Sequence, residues 1–274
     1  MIIDVHTHIF PPRMIADREA LVRADAGFAA LYADPRAKMA TAEELLASMA
    51  EAGVDQSVAC GFWWSSAALA AEHAAYLVAS ARASTQRIVP FVPLHGDTAI
   101  VEGTRGVGEL RVGSGGTLNA ATERNLAGAI ALGLPVLAHC TEEAGHTYPG
   151  KTGGFTPGAL WPFMEAHPQA RVIAAHWGGG FPFLAMMPEV RAVIDAGRLA
   201  FDSAASSLLY DPRVFEAVRG MAGTDAVLWG SDFPLRTQAR DRAAVEAALP
   251  DEAARAAVLG GNAARFLGID QPGE

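Results

Sequence analysis

The sequence predicts a (β/α)8 barrel of the TIM type, and three observations predict it. Eight short apolar runs recur along the chain, each followed by a longer Ala-rich amphipathic stretch. The 274 residues are nearly consumed by one barrel, which typically takes about 250 residues. The rival architecture, an open doubly wound sheet, lacks support because no Gly-x-Gly-x-x-Gly follows an early strand and no Walker loop is present. A single domain spanning 1–274 is expected, with no linker and no internal repeat.

The elements follow in order. Ile2–His8 alternates apolar and polar residues and reads as the first strand, followed by a long loop carrying Pro11, Pro12 and Pro35. Thr41-Ala42-Glu43-Glu44 is a capping box that opens a helix ending near Gly53. Strand 54–60 and helix 65–83 come next, then strand 88–94 and strand 106–112. A helix over 119–132 closes at Gly133, and strand 135–138 follows. After a Gly- and Pro-rich loop come helix 157–167, strand 171–175 and a helix over 182–196 ending at Gly197. Strand 199–203, helix 211–221 and strand 226–229 complete the eight strands, and helices over 238–248 and 251–267 finish the chain.

Composition limits the function classes. Hydrophobic residues make up 51% and charged residues 19%, which rules out whole-chain disorder. A net charge of −9 has the wrong sign for a nucleic-acid clamp. The longest apolar run, 126–138, is broken by Gly128, Gly133 and Pro135 and is too short to span a bilayer. Two cysteines, Cys60 and Cys140, make no disulfide framework and read as buried thiols. A cytoplasmic protein without membrane contact is expected. Only two lysines occur, Lys38 and Lys151; every other cation is arginine.

Barrel enzymes carry their chemistry at the C-terminal ends of the strands. Five predicted strands end there in a metal-capable group: His6 and His8, Glu109, His139, His176 and Asp232. Histidine and carboxylate are the ligand types that suit zinc. His6 and His8, two apart on a strand, point the same way into the barrel mouth. Asp4 is expected on that face, one step deeper, as an acceptor orienting a ligand histidine. Asp202 is expected at the rim. Arg111 stands near the mouth, where it either greets a carboxylate or pairs with Glu109. The segment Glu142–Lys151 carries His146, Tyr148 and Lys151, which suit an anionic or carbonyl substrate. Gly178-Gly179-Gly180 suits either an anion at its amides or tight packing. Trp63 and Trp64 read equally as a cavity wall or as packing.

The set Asp4-x-His6-x-His8, His139, His176-Trp177-Gly178-Gly179-Gly180, Gly230-Ser231-Asp232-Phe233-Pro234 and Gly261-Asn262-Ala263-Ala264-Arg265-Phe266 resembles the amidohydrolase superfamily. The closer resemblance is to its amidohydrolase-related (amidohydrolase 2) branch, which includes aminocarboxymuconate-semialdehyde decarboxylase. The resemblance spans the whole chain. It implies a distorted barrel with one or two divalent ions, zinc first, manganese or another divalent ion as alternatives. It implies His6, His8 and His139 as ligands, and Asp232 as the ligand that takes a proton from the attacking water. His176 corresponds to a second-metal ligand or to a group touching water or substrate. No lysine lies at strand four, and Glu109 stands where other hydrolytic members use a bridging glutamate.

A bound divalent ion lowers the pKa of its water to about 7 and so supplies a nucleophile at neutral pH. The first expectation is therefore a metal-dependent hydrolase of a small amide, ester or lactone. The alternative is a non-oxidative decarboxylase or hydratase of a small carboxylic acid on the same centre; the third reading, a barrel that only binds, sits poorly with a complete ligand set. The expected partner is a small, anionic molecule, and assembly into a homo-oligomer is left open.

Overall fold

The computed structural model describes residues 1–113, 116–151 and 153–270. Eight strands form one sheet in sequence order, every neighbouring pair parallel. They are β1 (Ile3–His8), β2 (Gln56–Cys60), β3 (Ile88–Val92), β4 (Gly106–Leu110), β5 (Val136–Ala138), β6 (Val172–Ala174), β7 (Leu199–Asp202) and β8 (Val227–Leu228). The ring closes between β1 and the segment around β8: Val5 N–H donates to Trp229 O at 2.9 Å, and Asp232 N–H donates to His6 O at 2.9 Å.

The strands sort their side chains by parity, as a closed sheet requires. Val58, Phe91, Leu137, Ile173, Ala200 and Leu228 fill the barrel, joined by Ile3 and Val5. Their neighbours Ala59, Val136, Val172, Leu199 and Val227 face out and pack with helix residues such as Leu45, Leu77 and Leu126. The capping box forms as predicted: the Thr41 side chain accepts from Glu44 N, and Glu44 accepts from Thr41 N, ahead of the helix Ala42–Ala52.

Three segments differ from the sequence expectation. The Pro-rich stretch after β1 is no open loop but three short helices, α1 (Pro12–Ala16), α2 (Arg18–Ala24) and α3 (Ala26–Tyr32). At five to seven residues each they are too short to display a helical period. They are held by an aromatic cluster of Phe10, Phe28, Phe62 and Trp64, with Tyr32 and Trp63 packed on it. The helix expected from 182 begins only at Pro188. Before it, His176 to Gly180 run through the left-handed region with φ from 55° to 96°. The last helix is interrupted by a wide turn, Ala257–Gly261, where Gly260 lies against the Met1 carbonyl. Cys60 and Cys140 are free, buried thiols. No helix among the described residues is long and apolar enough to cross a membrane.

Candidate active site

The mouth of the barrel gathers side chains from six strand ends. A bulge in β1 sets up the first two. Asp4 pairs with Ser57 while Thr7 pairs with Ala59, so β1 advances three residues where β2 advances two. Val5 and His6 therefore both turn inward, and Asp4 and Thr7 turn out. His8, two residues past His6, points back into the mouth, and the two Nε2 atoms lie 3.1 Å apart.

The bulge overturns the role expected of Asp4. Its carboxylate is fully buried on the outer side, accepting from His6 N (3.1 Å), Ser231 N (3.0 Å), Ser231 Oγ (2.5 Å) and Gln238 Nε2 (2.8 Å). It ties β1 to the turn after β8 and touches no imidazole. The orienting acceptor is Asp202, which is no rim residue. At 0% exposure it receives His6 Nδ1 at 2.9 Å, His176 N at 2.9 Å and Ala204 N at 3.0 Å. One carboxylate thus fixes both the His6 ring and the backbone that carries His176.

The remaining groups converge on the same space. Glu109 Oε1 lies 3.6 Å from His6 Nε2, 3.5 Å from His176 Nε2 and 2.6 Å from His139 Nδ1. Asp232 Oδ1 lies 3.5 Å from His8 Nε2 and 3.8 Å from His6 Nε2. His6, His8 and Asp232 offer one set of three ligand atoms mutually within 4.8 Å; His6, Glu109 and His176 offer a second. His139 joins neither set and reaches the cluster through Glu109. His176 and Asp232 both sit at positive φ, 55° and 62°, a conformation that side-chain-bearing residues adopt only when their surroundings hold them.

These residues fit a divalent cation, and the hydrogen-bond inventory shows why. His139 Nε2 faces the Gly150 carbonyl at 2.8 Å and its Nδ1 faces Glu109. Both partners are acceptors. Burial, aided by the charge of Arg111, pulls His139 down to about 4 against the opposing pull of Glu109, and a neutral ring has one N–H for two acceptors. A cation beside Nδ1 resolves the mismatch. At His6, burial favours the neutral ring, but Asp202, Asp232 and Glu109 outweigh it and push the imidazole up to about 10. The concentration of negative charge that favours a proton there favours a metal ion in its place. Asp232 resists burial through its hydrogen bond to His8 and the charges of His6 and His176, which hold its carboxyl well below the usual range.

Above the cluster opens a cavity of about 470 Å³. Leu31, Tyr32, Phe62, Trp63, Leu208 and Leu209 supply apolar lining. Arg111 lies between wall and cluster. Its guanidinium stacks on Trp63 at 3.7 Å, its Nη2 is 3.5 Å from Glu109 Oε2, and its Nη1 donates to Gly150 O at 2.9 Å. His146 and Tyr148 reach the cavity; the Tyr148 hydroxyl donates to Glu142 at 2.9 Å. Lys151 does not line it. Its Nζ donates to Ala144 O (2.6 Å) and His146 O (3.1 Å), fastening its own loop. Lys38, which carried no assignment in the sequence, does line the cavity. The glycine run packs closely: a Cβ at Gly179 would collide with the Thr141 backbone.

A model of the amidohydrolase family matches residues 3–269. The chain belongs to the amidohydrolase family. Solved structures similar to it support the fold. 5-Carboxyvanillate decarboxylase LigW from Sphingomonas paucimobilis shares 15% identity, covers 98% of this chain and 99% of its own, and superposes with a TM-score of 0.73. A manganese-bound dihydroxybenzoic acid decarboxylase from Polaromonas, with the inhibitor 2-nitroresorcinol, shares 14% identity over 98% and 97% of the two chains at 0.69. A zinc-bound amidohydrolase from Burkholderia multivorans shares 17% identity over 98% and 100% at 0.69. Membership of this family supports an enzyme, and the barrel mouth holds two donor sets that could each take a metal ion.

Proposed function

We propose that this amidohydrolase-family chain is a metal-dependent carboxy-lyase that removes CO2 from a small planar carboxylic acid. The observation that carries the reading is the cavity: apolar and aromatic lining from Tyr32, Trp63 and Leu208, together with the donor cluster and the Arg111 cation. Such a site suits a ring bearing an acid group. The solved decarboxylases of hydroxybenzoate-type acids, similar over their full length, support it. They also shift the weight from hydrolysis, the first expectation from sequence, to the alternative.

In this reading His6, His8 and Asp232, joined by His139 as the family resemblance implies, would hold one divalent ion, manganese or zinc, which when bound would act as a Lewis acid towards the oxygen atoms of the substrate. Trp63 and Tyr32 hold the ring, and Arg111 balances the charge of the acid. Breaking the carbon–carbon bond leaves its electron pair on the ring carbon, and a proton must take the place of CO2. His176 supplies that proton. Its Nδ1 is fixed on Ala204 O at 3.0 Å, so Nε2 is the nitrogen turned towards the cavity. Burial lowers its proton affinity, but Glu109, Asp232 and Asp202 outweigh burial and raise it. The imidazole recovers the proton from water at the open mouth.

Hydrolysis of an amide, ester or lactone remains the second reading because of one observation: His6, Glu109 and His176 form a second donor set. With an ion there, His176 is a ligand rather than an acid, and Asp232 takes the proton of the attacking water. Reconstituted enzyme offered hydroxybenzoates, unsaturated dicarboxylic acids, lactones, esters and amides tests the choice. The lyase reading expects CO2 from an acid; turnover of a lactone or amide, with no CO2 from any acid, establishes hydrolysis instead.

A further inference from the structure

We propose that Lys38 forms a distal anion subsite at the cavity mouth, so that the substrate carries two acidic groups on opposite ends of a flat apolar body. The inference rests on the reading of the cavity as the site of a planar acid, and names the class of acid it takes.

Four observations carry it. The lining carboxylates, Glu109 and Asp232, both belong to the donor cluster. Lys38 is exposed, lines the same cavity, and among the described residues has no carboxylate within ion-pairing distance and no hydrogen bond from its ammonium. The other lysine, Lys151, is spent on its own loop. Leu31, Tyr32, Phe62, Trp63, Leu208 and Leu209 line the same cavity and offer a substrate a largely apolar surface.

The segment that presents Lys38 is fixed rather than loose. Arg18 donates to the carbonyls of Tyr32 (2.8 Å), Asp34 (2.5 Å) and Ala37 (2.9 Å), gathering the turn after α3 around one guanidinium. Tyr32 and Ala37 thereby hold the wall, and Lys38 follows directly. A lysine suits this place: a compact charge on a flexible stem adjusts to an anion whose position varies with the substrate. Arginine supplies almost every other cation in this chain. One cavity thus brings together a donor cluster with Arg111, apolar walls and a second cation. It matches an acid, a ring and a second acid.

Calorimetric titration with benzoate and with benzene-1,3-dicarboxylate tests the subsite on metal-loaded protein, wild type and Lys38→Met. The wild type is expected to bind the dicarboxylate about fivefold more tightly than benzoate, the worth of one exposed ion pair. Lys38→Met should erase that preference and leave benzoate unchanged, while Lys38→Arg keeps it. Equal wild-type affinity for the two probes, or a preference that survives in Lys38→Met, overturns the subsite. No turnover is read. A protein that keeps the Lys38-dependent preference but releases no CO2 from any acid overturns the lyase reading alone.

Discussion

Asp202 shows how much depends on one buried carboxylate. It receives a ring nitrogen of His6 and the backbone of His176, so it sets the aim of two groups without facing the substrate. Such acceptors typically govern metal affinity by about 10–100-fold. Asp202→Asn should therefore weaken metal retention by that order in a chelator competition, while Asp211→Asn, on an exposed turn, should not. His73 makes a different prediction. Fully buried, it donates Nε2–H to Ile9 O at 2.7 Å and accepts at Nδ1 from Trp64 Nε1 at 3.1 Å. Burial pulls its pKa from 6.5 to about 4. Between those values the unfolded chain binds the extra proton. The stability that His73 contributes is thus complete above pH 6.5 and is lost as pH falls towards 4, by about 3 kcal/mol in all. Asp241, which burial pushes up to about 7, acts in the opposite sense and loses stability as pH rises through that value. The difference between wild type and His73→Gln isolates the histidine: denaturant titrations should show the wild type losing more stability from pH 6.5 to 4 than the variant.

At the scale of elements, the sequence exposed what is periodic and concealed what is local. The eight strands were legible because apolar runs with glycine and proline between them carry their own boundaries. His6 and His8 were legible because residues two apart on a strand share a face, bulge or no bulge. Asp4 was misplaced because the bulge lies before His6, and nothing in Ile3-Asp4-Val5-His6 announces it. Asp202 ends a four-residue strand, and a lone aspartate there looks like any turn residue; its importance comes from His6, 196 positions away. Helices α1 to α3 are too short to show a period, and Lys38 stands out in the sequence only as one of two lysines, with nothing to place it at the cavity. Two predictions belong here. Gly179→Ala, at φ +60° against the Thr141 backbone, should lower Tm by roughly 5 °C through local strain. Arg18→Met should release the turn after α3, speeding amide hydrogen exchange over residues 33–40 while leaving the barrel strands protected.

For the whole molecule, the charge of −9 and the site are two separate facts. The net charge argues against a polyanion as partner, yet Arg111, Lys38 and a donor cluster loaded with an ion would make the mouth hospitable to a small acid. The barrel accounts for this separation, since its strand ends gather six distant segments of chain into one pocket while the acidic surplus stays on the outer helices and turns. The central claim is that this pocket is a divalent metal centre, and metal content per chain tests it most directly. Purified protein, stripped with chelator and reloaded with manganese or zinc, should retain one ion per chain through gel filtration. His6→Ala combined with Asp232→Ala should retain none, with unchanged circular dichroism. A wild type that neither holds nor regains a divalent ion, or a double variant that binds it as tightly, would contradict the account.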